Sequence, residues 1–183
     1  MSKEENVVKY YAICNRLKNV IRKGWKLWNV QRDRIESVAE HIFSTQMLAI
    51  AMKHEYQYDV DIMKVVFMLA IHELGEAIID DLTQFEINEN DKEKIEHAAV
   101  HEILSGILDG EQIEELFLEF DSHSTKEAFF AYQCDKLECD LQSKLYDEEG
   151  CVDLNKQEGN KTLENELVKK LLSEEKSWSG MWL

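Results

Sequence analysis

The stretch VVFMLAIHE, residues 65–73, decides the fold. It is apolar on nearly every side, and Asp59 and Asp61 stand before it as candidate caps. That pattern predicts a helix buried in a core rather than laid on a surface. The run then ends on an imidazole and a carboxylate, His72 and Glu73. Unpaired charge is expensive to bury, so both groups need partners. A divalent metal is one such partner, because it accepts imidazole and carboxylate together. A backbone carbonyl accepting from a helix-end histidine is the plainer one.

Helical spacing continues on both sides. Val7, Tyr10, Tyr11, Cys14, Leu17 and Ile21 predict a first helix that Gly24 ends, followed by a mixed-charge loop from Trp25 to Ile35. Val38, Ile42, Thr45, Leu48, Ala49 and Met52 mark a second helix. Residues 80–91 read as polar loop, and 92–108, 111–120 and 125–146 as three further helices. Leu163, Leu167, Leu171 and Leu172 form an amphipathic set near the C-terminus, before Trp178 and Trp182. The absence of proline among 183 residues suits long helices joined by short loops. No strand alternation or repeat interrupts the pattern. The expectation is an all-α bundle of six or more helices. Its core unit is residues 1–150, and residues 151–183 form a helical tail that covers this core or a partner.

Composition narrows the function. With 21 basic against 37 acidic residues the net charge is -16, which argues against nucleic acid as a partner, since duplex binding needs a basic face. A small phosphate stays possible where the pocket is locally positive or holds a metal. The N-terminal MSKEENVVKYY has no apolar core of signal-peptide length, and no uncharged segment reaches membrane-spanning length. A cytoplasmic protein without membrane contact is expected. Cys14, Cys134, Cys139 and Cys151 show no C-x-x-C spacing, so they read as reduced thiols packed like small apolar side chains.

Two more polar groups interrupt apolar faces. Asp135 shares a helical face with Ala128, Ala131, Tyr132 and Cys139. Lys136, about a quarter-turn away, looks like a poor partner for it. His41 opens the second helix. Three helices thus each direct a ligand set inward, which is how bundles build metal sites.

The segments R-I-E-S-V-A-E-H at 34–41, I-H-E-L-G-E-A at 71–77 and D-K-L-E at 135–138 resemble the HD-domain superfamily. More narrowly, they resemble its 5'-deoxyribonucleotidase branch, with similarity over about residues 10–148. The resemblance implies an HD-domain helical bundle in which His41, His72, Glu73 and Asp135 hold one divalent ion, whether Mn, Co, Fe, Ni, Zn or Mg. It implies Glu76 and Asp81 as the acid–base and water-positioning carboxylates; Glu76 shares a face with His72 if the helix runs on that far. The implied substrate is a small nucleotide, a deoxynucleoside 5'-monophosphate, cleaved to nucleoside and phosphate, and the implied assembly is a homodimer.

The chain departs from the family's usual aspartate at Glu73. One added methylene displaces the ion by around an ångström, and misplacement on that scale can lower a rate about 10²-fold. Arg22 and Trp25 resemble the family's arginine–tryptophan segment, in which arginine meets phosphate and tryptophan the nucleoside, although here the two are not adjacent. Arg34 matches the arginine of the second motif or makes a salt bridge to Glu36 or Glu40. Trp25 is a base platform or a core aromatic. His97 and His101 are four apart, as ligands of a second metal can be, but their face with Lys94 and Ser105 is mainly polar and reads as solvated. Three other readings remain: hydrolysis of a different phosphate bond, a metal-holding protein without turnover, and a two-metal oxygenase.

Overall fold

The computed structural model describes residues 2–153 and Lys170, and within them the regular elements are helices, with one isolated bridge between Ile21 and Ser37. Helix α1 is Lys3–Cys14, followed by a 3-10 turn at Asn15–Lys18; then come α2 Lys23–Leu27, α3 Val38–Glu55, α4 Ile62–Ile71, α5 Glu76–Ile79, α6 Glu89–Leu104, α7 Gly110–Asp121 and α8 Lys126–Glu148. The expected all-α bundle is what forms. Expected residues of the tail, Leu163 to Trp182, lie outside the described residues apart from Lys170.

Helix α4 serves two cores through one side, while its Met63 and Phe67 stay exposed. Its Val65, Met68 and Leu69 pack with Ala49 and Met52 of α3, Phe120 of α7 and Ala131 and Leu137 of α8. Its last residue, Ile71, joins a second cluster with Leu17, Val38, Leu74, Val100, Leu104 and Phe117. A smaller cluster of Trp25, Val30 and Tyr146 ties α2 to the end of α8. His72 therefore emerges where the two larger cores meet.

Several boundaries differ from the periodicity, each for a local reason. Asp61 caps α4 by accepting from the N–H groups of Met63 and Lys64, whereas Asp59 instead pairs with Lys126. The first helix stops at Cys14, well before Gly24, because residues 20–22 run extended beside the start of α3. Val38 N–H donates to the Val20 carbonyl and Arg22 N–H to that of Glu36. Gly24 then lies inside α2, in what the sequence suggested was loop. Asn88 caps α6 and starts it at Glu89 rather than 92. It ends at Leu104 rather than 108, where Gly110 approaches so closely that a Cβ there would strike the Leu104 carbonyl.

Candidate metal centre

The site begins with a cap. Ser37 accepts from Glu40 N–H while the Glu40 carboxylate accepts from Ser37 N–H, a reciprocal capping box that fixes the start of α3. One turn in, His41 is completely buried. Its Nδ1 lies 2.6 Å from Glu138 Oε2, and its Nε2 lies 3.0 Å from Asp135 Oδ1. Asp135 and Glu138, three apart on α8, thus clasp one ring from both ends. His72 forms the C-terminal cap of α4, with Nδ1 2.8 Å from the Leu69 carbonyl oxygen. A carbonyl only accepts, so that nitrogen carries the proton and Nε2 offers its lone pair.

The two Nε2 atoms face each other at 3.3 Å. His72 Nε2 is also 3.8 Å from Glu73 Oε1 and from Asp135 Oδ1. One donor atom each from His41, His72, Glu73 and Asp135 lies within 4.8 Å of all the others. Imidazoles anchored through Nδ1 to a carboxylate and a carbonyl, with both Nε2 converging on carboxylate oxygens, suit a divalent cation. The donor set fits such an ion.

The electrostatics agree. Burial pushes the Asp135 carboxyl up, but the hydrogen bond with His41, the nearby His72 ring and the ammonium of Lys136 hold it well below its ordinary value. Lys136 Nζ is 2.9 Å from Asp135 Oδ2, so this lysine is a direct partner of Asp135, contrary to its helical offset: its long stem reaches back along α8. Glu73 is also held low, with His72 and Arg22 overcoming burial. Arg22 Nη1 is 3.8 Å from Glu73 Oε1, and Arg22 Nη2 is 3.0 Å from Cys139 Sγ.

Glu76 does not continue the helix of His72. The chain turns through His72–Gly75 and restarts, so Glu76 opens α5. It is nevertheless buried, and its carboxyl is pushed well above the ordinary value by burial and by Glu73 and Asp81, despite Lys92 Nζ at 3.7 Å. Asp81 Oδ2 accepts from Lys23 N–H at 2.5 Å, which joins the loop after α5 to the start of α2. Trp25 is 5% exposed and donates Nε1–H to Glu36 Oε2 at 2.8 Å, edge-on to Trp28 and Tyr146; it is packed as a core aromatic, with an edge toward the cavity that Arg22 and Asp81 line. Arg34 stands apart. It is 82% exposed, pairs with Glu40, and lines a different cavity with Lys18 and Arg32.

His97 and His101 do not converge: His97 pairs with Asp121 and His101 with Glu114. Glu138 and Lys92 are site neighbours that the sequence did not single out. The signal for Glu138 was its i+3 spacing from Asp135, which puts both on the face meeting His41.

An all-helical bundle with a largely buried cluster of two histidines and two carboxylates fits the class of helical proteins that hold a metal between their helices. Within it, the chain belongs to the HD domain family, whose match covers residues 14–174. It is 31% identical over 153 residues to the 5'-deoxynucleotidase HDDC2 of Dictyostelium discoideum, covering 79% of each chain. It is 28% identical to the 5'-deoxynucleotidase hdd1 of Schizosaccharomyces pombe, over 80% of this chain and 75% of that one. A crystal structure of a Pyrococcus horikoshii protein superposes with a TM-score of 0.70 at 26% identity, covering 90% of this chain and 97% of that one.

Proposed function

We propose that this chain is a metal-dependent phosphohydrolase that releases phosphate from deoxynucleoside 5'-monophosphates. The carrying observation is the pair of Nε2 atoms facing each other at 3.3 Å beside Asp135 and Glu73. The likeness to proteins named 5'-deoxynucleotidases supplies the substrate class. His41, His72, Glu73 and Asp135 are the residues that would hold the ion. A divalent cation there supplies Lewis-acid polarisation of a phosphoryl oxygen and acidifies water.

The chain's own groups do the rest. Glu76, whose carboxyl is pushed well above its ordinary value by burial and by Glu73 and Asp81, is the group that would deliver a proton to the leaving alkoxide. Asp81, fixed by Lys23 N–H, orients water on the same side. Arg22, kept cationic against its burial by Cys139, Glu73, Asp135 and Glu36, meets phosphate oxygens. Trp25 forms the wall for the nucleoside rather than an open stacking surface, and Arg34 supports the α3 cap through Glu40.

Residues 1–150 form the proposed catalytic unit, which acts as a homodimer. No helix among the described residues is long and apolar enough to cross a membrane. The test is phosphate release from a panel of ribo- and deoxynucleoside monophosphates. Metal-stripped protein is reloaded with Mn, Co, Fe, Ni, Zn or Mg in turn, beside Glu76→Gln. Release that needs metal, favours the deoxy series and collapses in the variant is expected. Tight metal binding without release from any substrate would rule out this reading.

A further inference from the structure

Two cavities meet at one side chain. The first, about 540 Å³, is lined by His72, Glu73 and Asp135. The second, about 530 Å³, is lined by Arg22, Asp81 and Cys139. Among the described residues, Lys136 is the one that lines both. Its ammonium sits 2.9 Å from Asp135 Oδ2, the oxygen turned away from His41, and 5.1 Å from the centre of the Tyr132 ring.

The neighbouring cations are less exposed. Arg22 is 19% exposed and is held among Glu36, Glu73 and Cys139. Lys92 faces Glu76. Lys136 is 45% exposed, on a flexible stem beside open space. A divalent ion held by Asp135 would compete with Lys136 for the charge of that carboxylate. The ammonium would then stand at the rim of the cluster with its donors unspent, across the cleft from Arg22.

We propose that Lys136 is a substrate-binding residue whose ammonium takes a non-bridging oxygen of the phosphate between the metal cluster and Arg22. The inference rests on the phosphohydrolase reading and sharpens its substrate class. Two cations besides the ion suit a phosphomonoester dianion, with three terminal oxygens to share, better than a diester with two. The rival role for Lys136 is simple neutralisation of Asp135. That role predicts changes in metal content or stability, and none in phosphate affinity once the ion is saturating.

The experiment is calorimetric titration of inorganic phosphate into metal-saturated wild type, Lys136→Met and Lys136→Arg. It is paired with metal content per chain, melting temperature, and KM and kcat on the best nucleotide. Methionine keeps the helix and most of the stem, so α8 is expected to fold unchanged. The Met variant is expected to bind phosphate at least about tenfold more weakly, as for a lost hydrogen bond to a charged group. Its metal content should match wild type, its KM should rise more than its kcat falls, and Arg should restore most of the affinity. Phosphate affinity equal to wild type in the Met variant, or a loss that follows lost metal or a lowered melting temperature, overturns the assignment while the wild-type arm upholds the hydrolase. Wild type that neither binds phosphate nor turns over overturns both.

Discussion

His41 carries more of the site's logic than any other residue. Burial and the nearby Arg22 oppose its charge, but hydrogen bonds with Asp135 and Glu138 prevail and raise its pKa to about 9 in the metal-free protein. A folded pKa above the ordinary 6.5 means that the protonated ring stabilises the apo fold. That contribution is complete below about pH 6.5 and is lost as pH rises through 9. Metal binding needs the same proton gone. Apparent metal affinity should therefore climb by up to about tenfold per pH unit toward pH 9 and then level off. Metal titrations across pH 6–10, with proton release measured in weakly and strongly buffered solution, check this; an affinity flat with pH would exclude the coupling. Glu138 should show its hold on the ring in the same assay. Glu138→Gln removes the carboxylate behind Nδ1, and loss of such an outer partner typically weakens metal binding 10–100-fold. An unchanged affinity would mean that Asp135 alone orients the imidazole.

At the scale of elements, the site depends on how three helices begin or end. The α3 capping box sets the height of His41, so Ser37→Ala is expected to destabilise the protein by about 1 kcal/mol in urea denaturation. Gly75 sets the approach of α5 to α6, because a Cβ there would lie 2.8 Å from Glu96 Cγ and 3.2 Å from the Glu96 carbonyl oxygen. Gly75→Ala should push α5 away, lower stability by about 1–3 kcal/mol, and reduce turnover more than metal affinity, since Glu76 moves while the four metal donors stay. Equal losses in both would show that α4 moves with it. These elements were partly legible in the sequence. The apolar run of α4 and the three-and-four spacing of α3 and α8 are periodic signals, and the proposed ligands His41, His72 and Asp135 stand out as polar groups on apolar faces. The break between His72 and Glu76 was not legible, because I-H-E-L-G-E-A reads equally as continuous helix. The end of α1 was hidden too: it depends on Val20 and Arg22 pairing with residues 36–38, a contact across the chain that no local spacing records. Lys136 was misread because helical angle places a Cβ, whereas a four-carbon stem lets the ammonium swing back onto its own helix.

For the whole molecule, folding gathers Glu73, Asp135 and Glu138 around two imidazoles in a chain that already carries a net charge of -16. Arg22 and Lys136 offset part of that local charge, and a divalent ion would offset more while tying α3, α4 and α8 together. Because the donors converge only in the folded chain, the ion binds the native state and should stabilise it by linkage. At a free concentration of a hundred times Kd the gain is about 2.7 kcal/mol, or roughly 5–10 °C in Tm for a domain of this size. The shift should reverse with chelator. It should vanish in Asp135→Asn, which breaks the donor set, and persist in Arg34→Ala, whose side chain lies outside the cluster. Thermal melts of these three proteins, with and without metal, separate a cation held at this centre from ions scattered over an acidic surface. Surface binding would raise Tm equally in all three, whereas binding at the centre requires Asp135→Asn alone to be indifferent to the metal.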